Sequence, residues 1–413
     1  MADVRVKDLP NSTAIARVNL FLMERITAGS DESNPANNTY ESDNIFFKDL
    51  AMVALPTQEN RVLNGDMLVD QANESAAVSS TSVGSLFGPD AFSIFVASTI
   101  TGMNFTLQRI NDAPPGFLYS LKATVNAVPT VPATKAITLG TALEVQDNYD
   151  LNYGGANAQN CWVSFWVKSS LTGNFTVKVA PSASLSRTFQ HSFNIASGGT
   201  WTYVSFLLPG DQNAGAGAGW AGLAANAAFF SVSIMLDWNA ADETVTADAW
   251  QSGTTTGITG TTKISQNNGA TFQITNVRVR KGSWDVGYIP RPFAQDLGRC
   301  QRHYFKTFQP GTAPAQNAGV AGAITIKNPI ASGLPSHYQQ FLATMRANPT
   351  ITTYNPSAAN ANWRNITAGA DATVSVDPST TLGQEGVLVA TSGTVANAGD
   401  ILAIHLVASA RLS

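Results

Sequence analysis

The sequence predicts an all-β chain: a jelly-roll β-sandwich followed by a smaller C-terminal β-sandwich, preceded by a short N-terminal segment of helical and extended character. Three observations carry this. Charged residues make up only 13% of the 413 residues, where roughly 25% is ordinary for a globular chain. Ser, Thr, Asn, Gly and Ala fill the gap, a composition poor for free-standing helices and suited to strands with neutral polar faces. Apolar residues alternate with period two over long stretches, and turn-forming residues separate those stretches at short intervals.

Residues 1–63 form the first region. The pattern predicts one helix, roughly Ser12 to Ile26, then a polar Asn-rich stretch, Gly29 to Asn44, and a short apolar run, Ile45 to Leu55, ended by Pro56. The piece is too small and too polar to bury a core alone. It is expected to order against other copies of itself or against a larger assembly.

Residues 64–290 read as strand after strand. Val163, Phe165 and Val167 alternate with Trp162, Ser164 and Trp166; Phe175, Val177 and Val179 alternate with Thr176 and Lys178; Phe230, Val232, Ile234 and Leu236 alternate with Ser231 and Ser233. Turns are expected at Leu171–Asn174, Ser197–Thr200, Pro209–Asp211 and Asn267–Gly269. Near Thr275-Asn276 the apolar parity switches, from Phe272 and Ile274 to Val277 and Val279, which predicts a β-bulge. Many short strands with no helical periodicity point to a two-sheet jelly roll.

Residues 291–413 open with the Pro-bounded link Ile289-Pro-Arg-Pro292. A short amphipathic helix is expected from Phe293 to about Tyr304, then more strands. The last run places Leu402, Ile404, Leu406, Ala408 and Leu412 on one face, with His405, Ser409 and Arg411 on the other.

The bulk numbers exclude several function classes. Net charge is −4 with no Lys- or Arg-rich block, so a phosphate backbone has no electrostatic footprint here and no nucleic-acid partner is expected. No run of about 18 apolar residues exists, so no membrane insertion is expected. The N-terminus carries no secretory-type apolar stretch, and synthesis in a cytoplasm is expected. His191, His303, His337 and His405 form no pair at metal-ligand spacing. Cys161 lies in an alternating apolar run and reads as a small buried hydrophobe.

One segment, Tyr288-Ile-Pro-Arg-Pro-Phe-Ala-Gln-Asp-Leu-Gly-Arg-Cys-Gln-Arg-His-Tyr304, resembles a recurrent stretch of bacteriophage tail-fibre and minor structural proteins. There a carbohydrate-binding-like jelly roll ends in a strand, a Pro-rich link and Leu-x-x-Cys-Gln-Arg-Tyr-Tyr; here His303 stands for the first tyrosine. Trp162–Leu171, Thr200–Tyr203 with Pro209–Asp211, Asn268–Val277 and Met345–Ile351 resemble further parts of the same proteins, in the same order. Val6–Pro10 and Phe46–Leu50 are similar, more weakly, to virion-anchoring segments. The resemblance covers about Asn64 to Ser413. It implies a homotrimer in a virion, attached through its N-terminal segment to other virion proteins, with outward domains that meet a host surface glycan.

The search for chemistry finds little. Gly217-Ala-Gly-Trp-Ala-Gly222 matches G-x-G-x-x-G, but its neighbours are antiparallel-looking strands rather than the strand and helix a dinucleotide needs. It reads as a Gly/Ala loop displaying Trp220. Asp237, Asp242, Glu243 and Asp248 cluster between Trp238 and Trp250. That set is compatible with a solvated loop, a structural Ca²⁺ loop or a glycosidase acid pair. There is no G-x-S-x-G, H-E-x-x-H, P-loop or CxxC. Cys300 and His303 sit together in the linker helix, where packing is the simpler role. No enzyme activity and no cofactor are expected.

Sugar binding needs exposed aromatic faces. Trp220 and Trp250 lie in or beside predicted loops amid Gly, Ala, Ser and Thr, so they are the expected stacking rings, with Asp242, Glu243 and Asp248 as hydroxyl acceptors. The strand aromatics Trp162, Trp166, Trp201 and Tyr203 are expected in the core. The sequence thus predicts a phage appendage binding host polysaccharide through several weak sites. A purely architectural head or collar fibre and a polysaccharide depolymerase are the alternatives.

Overall fold

The computed structural model describes residues 59–182, 187–215, 218–285, 287–376, 382–395 and 397–412. All belong to one compact unit, Pro56–Ser413. The expected helix at Ser12–Ile26 and the rest of the anchoring segment before Glu59 lie outside the described residues.

Fifteen strands build the first sandwich: β1 (Val78–Ser80), β2 (Gly84–Phe87), β3 (Ser93–Val96), β4 (Asn104–Ile110), β5 (Ser120–Ala127), β6 (Ala136–Glu144), β7 (Cys161–Ser169), β8 (Gly173–Pro181), β9 (Arg187–Ile195), β10 (Thr202–Leu208), β11 (Ala228–Trp238), β12 (Glu243–Thr244), β13 (Trp250–Ser252), β14 (Gly257–Ile258) and β15 (Thr271–Lys281). One sheet has the order β1-β4-β5-β15-β7-β10, the facing sheet β13-β9-β8-β11-β6-β3-β2; β12 and β14 form a separate parallel pair. All pairings within the two large sheets are antiparallel. The alternation read from sequence selects the inner faces: Val163, Phe165, Val167, Phe175, Val177, Val179, Phe230, Val232 and Ile234 meet in one core. Burying such side chains contributes about 1.5–3 kcal/mol each, which is why register follows the apolar parity.

The bulge in β15 falls where the parity switches. Its register against β7 shifts between Thr275 and Arg278, and Asn276 takes φ +52°. Asn tolerates that left-handed conformation better than other non-glycine residues. The bulge keeps Val277 and Val279 in the core and turns Arg278 and Arg280 onto the other face.

The link leads into helix α1 (Phe293–Gln301), within the predicted span. The C-terminal sandwich follows: β16 (Tyr304–Lys306), β17 (Ile324–Lys327), β18 (Ser336–Gln340), β19 (Thr350–Tyr354), β20 (Trp363–Asn365), β21 (Ala370–Ala372), β22 (Val374–Val376), β23 (Gly386–Thr391) and β24 (Ile401–Ser409). The long β24 pairs with β16, β17, β19 and β20, and β18-β23-β22 form the second sheet. Leu402, Ile404, Leu406 and Ala408 join Trp363, Val387 and Val389 in a second core. The other face of β24 is also covered. His405 is 1% exposed, stacked on Phe308 at 4.0 Å and hydrogen-bonded to the Gly319 carbonyl at 2.9 Å.

The two cores are bridged by polar contacts. Gln71 Nε2 donates to Tyr304 O at 2.9 Å, Lys306 pairs with Glu74 at 2.5 Å, and Arg302 pairs with Glu144 at 2.8 Å. Asn226 and Arg346 exchange side-chain-to-carbonyl bonds in both directions.

Candidate functional site

The structure corrects the expectation that Trp220 presents an open ring. Its side chain is 8% exposed and joins the sandwich core. The ring packs against Tyr153 at 5.0 Å, Phe229 at 5.3 Å and Trp250 at 5.6 Å. Its Nε1 donates to Asp211 at 2.8 Å, and Arg187 binds the same carboxylate at 2.6 and 2.8 Å. Burial alone raises the Asp211 carboxyl, but the bonds from Arg187 and Trp220 outweigh it and hold it below its usual range. Trp250 is half-buried, with Nε1 donating to Pro209 O at 2.7 Å and Arg187 lying 5.9 Å from the ring centre. The small residues around these indoles suggested missing packing partners. The partners come instead from Tyr153 and Phe229, distant in sequence or across a turn.

Each acidic residue of the predicted cluster is committed to its own partner. Asp237 is buried, accepting from Trp238 N and Gln266 Nε2, and burial raises its carboxyl pKa. Asp242 accepts from Thr134 N at 2.6 Å, Glu243 from Trp238 Nε1 at 3.1 Å and from Lys263 at 3.3 Å, and Asp248 meets His191 Nδ1 at 2.5 Å. Among the described residues no group of three His, Cys, Asp or Glu comes together to hold a metal ion. Cys161 and Cys300 are free and buried, and burial pushes both thiols up, Cys161 to about 11.

The aromatic surface lies elsewhere, on the outer face of the six-stranded sheet. Trp162 and Trp166 project from β7 opposite to the core residues Val163, Phe165 and Val167, and both are half-buried. The register sets them in rows. Trp166 stands opposite Tyr203 of the edge strand β10 and Trp162 opposite Leu207. On the other side Arg280 stands opposite Trp162 and Arg278 opposite Ser164. Trp166 and Tyr203 lie 5.2 Å apart; Tyr203 is 37% exposed and Leu207 38%. Lys168, in the next outward position of β7, pairs with Asp112 at 2.5 Å and lies 5.4 Å from the Trp201 ring centre.

Polar groups tie this face together. Arg278 Nη2 donates to Tyr203 Oη at 2.6 Å, and Tyr203 in turn donates to Asp285. Burial raises the Asp285 carboxyl, but Tyr203, the Gly287 amide and Arg278 hold it below its usual range. Gly287 O accepts from both Arg278 and Arg280, at 2.6 and 2.7 Å. Burial first, then the neighbouring Arg278, push the Arg280 guanidinium down to about 10.

Sequence reasoning placed these strand aromatics in the core. The signal that could have found them was phase: Trp162 and Trp166 are out of register with an unbroken apolar triplet in the same strand. Arg278 and Arg280 needed the bulge to be carried one step further.

No protein-family model matches the chain, and no curated protein matches it. Similar solved structures include a CBM4 module (13% identity, 53% of this chain and 98% of that one, TM-score 0.24) and the family 11 carbohydrate-binding module of the cellulosomal cellulase Lic26A-Cel5E of Clostridium thermocellum (11%, 49% and 98%, 0.24). A third is the enzymatically active domain of tailspike protein 4 of bacteriophage CBA120 (13% identity, 54% of this chain, TM-score 0.24), of which this chain covers 21%. Values this low assign no ligand.

Proposed function

We propose that the chain is a non-enzymatic structural and binding protein of a phage particle, a tail fibre or similar appendage, that engages host surface polysaccharide through the outer face of the six-stranded sheet. One observation carries the binding reading: Trp166 and Tyr203 stand side by side on adjacent strands, beside Trp162 and Leu207, with the Tyr203–Asp285–Arg278 set next to them. A pyranose stacks its C–H face on such rings, and its hydroxyls take hydrogen bonds from the flanking polar groups. Single sites of this kind are weak. Three copies on one trimer would raise avidity by orders of magnitude without new contacts. The virion assignment rests on the Pro-rich link and Leu-x-x-Cys-Gln-Arg segment and its companions in order.

Affinity electrophoresis of the full chain through gels containing host capsular or lipopolysaccharide glycans tests the binding reading. Retardation that Trp166→Ala abolishes supports it, whereas equal mobility in every glycan gel overturns it. The second reading, a purely architectural fibre, is favoured by the Gly287 carbonyl already engaging both Arg278 and Arg280. On that reading the face is a seat for the chain's own link, and no glycan retards the protein.

A further inference from the structure

We infer that the open edge of β18 is a pairing surface for a second copy of this chain, joined antiparallel across a twofold axis at Tyr338. The strand ends the sheet β18-β23-β22. Thr391 N donates to Pro335 O at 3.1 Å and Phe341 N to Glu385 O at 2.8 Å. Main-chain groups alternate in direction along an antiparallel strand, so those of the odd-numbered residues here face β23. The N–H and C=O groups of Ser336, Tyr338 and Gln340 point to the other side. Among the described residues no main-chain group meets them there, and Gln340 O takes only Nε2 of its neighbour Gln339, at 2.6 Å. A row of unpaired groups of this kind is a template for another strand.

The side chains along this edge are self-complementary. Leu334, Tyr338 and Leu342 are 61%, 54% and 73% exposed, with exposed Ser336 and Gln340 between them. Read in either direction the order is apolar, polar, aromatic, polar, apolar. An antiparallel copy centred on Tyr338 therefore sets Leu334 against Leu342, Ser336 against Gln340, and Tyr338 against its own counterpart. An isologous interface requires that match, and apolar and aromatic cross-strand pairs stabilise a sheet.

Charge and area agree with a second copy as the occupant. A patch that meets itself meets its own charge. From Asn328 to Met345 there is no Asp, Glu, Lys or Arg, and β22 and β23 carry none. Isolated edges are commonly blunted by charge or by proline. Pro335 does not blunt this one, because its position is odd and its missing N–H lies on the β23 side. With Ile330, also 63% exposed, the apolar side chains offer on the order of 400 Å². The strand's main chain, Ser336 and Gln340 add to that, toward the roughly 800 Å² a partner gives to a standard interface.

Disulfide trapping in the full chain tests the register. In the paired sheet the two copies of residue 338 stand about 5.5 Å apart between Cα atoms, within disulfide reach. Tyr338→Cys should form a cross-linked dimer under mild oxidation at micromolar concentration. Gln340→Cys should not link to itself, because its two copies lie about 13 Å apart along the strand. A mixture of Ser336→Cys chains with Gln340→Cys chains should link. Cys161 and Cys300 are buried and do not compete. Sedimentation of Tyr338→Lys should give half the particle mass of the unaltered chain with the same circular dichroism. The edge joins two chains or two trimers alike, so the halving is the readout. Absence of the Tyr338→Cys dimer, equal linking by Gln340→Cys, or an unchanged mass in Tyr338→Lys overturns the pairing. Should Tyr338→Cys fail to fold, the mixed chains decide. The glycan gels probe the jelly roll's outer face, so that reading stands or falls separately.

Discussion

Trp220 donates its indole hydrogen to Asp211 Oδ2 at 2.8 Å, and Arg187 forks onto both oxygens of the same carboxylate. The ring therefore serves as part of the packed core, held by a charged hydrogen bond and by Tyr153, Phe229 and Trp250. Trp220→Ala should cost about 3–5 kcal/mol, in the range of buried Trp truncations. Urea denaturation measures it. A loss below about 1 kcal/mol with a simultaneous loss of glycan binding would return Trp220 to the role the sequence suggested.

The outer-face rings should behave in the opposite way. Trp166→Ala and Tyr203→Ala remove half-exposed rings, so stability should fall by only about 1 kcal/mol, near the average for point changes. Glycan affinity should drop about tenfold per site, the effect of losing about 1.4 kcal/mol of stacking. Retardation in glycan gels and the unfolding midpoint, measured on the same samples, separate the two effects. If the midpoint collapses while retardation persists, the face is structural.

The bulge at Asn276 fixes which side of β15 faces the core. Asn276 sits at φ +52° and donates from Nδ2 to Asp66 at 2.9 Å. Asn276→Val places a β-branched residue in the left-handed region and removes that bond. We expect a loss of about 2 kcal/mol, about 1–2 of it conformational. Asn276→Gly should lose less, because glycine adopts the same backbone without strain. Equal costs for the two variants would contradict this account.

His303 gives the fold an acid-side sensitivity. Burial, then Arg346 and Arg302, lower its pKa to about 3 from 6.5. Between those values the unfolded chain binds a proton that the folded chain refuses. Stability is thus undiminished by this group above about pH 6.5 and falls as pH drops toward 3. His303→Gln should flatten the fall of the unfolding midpoint between pH 6 and 4. An unchanged slope would assign the acid sensitivity to other groups.

Both thiols should be inert while the chain is folded. Cys161 and Cys300 are fully buried and pushed up in pKa, so almost no thiolate is available at neutral pH. Iodoacetamide should label neither below the unfolding midpoint and both above it, read by mass spectrometry.

Much of the β architecture was legible because it rests on local alternation. Val163, Phe165 and Val167 needed only a period of two to declare the inner face of β7, and the switch from Ile274 to Val277 declared the bulge. Helix α1 was legible from its Pro-bounded start and its amphipathic pattern. The candidate site was not legible by the same means. A tryptophan among glycines and alanines reads as exposed only if nothing distant covers it, and Trp220 is covered by Tyr153 and tied to Asp211. Trp162 and Trp166 read as core because large aromatics usually are, yet Val163, Phe165 and Val167 had already taken the inner face of the same strand. His405 was placed on the face of β24 opposite the core residues, but the alternation could not tell that Phe308 covers that face. The sequence determined which residues face which side of each strand, because that depends on nearest neighbours along the chain. Only the tertiary structure decided which of those sides stayed open, because that depends on what other parts of the chain are packed against them.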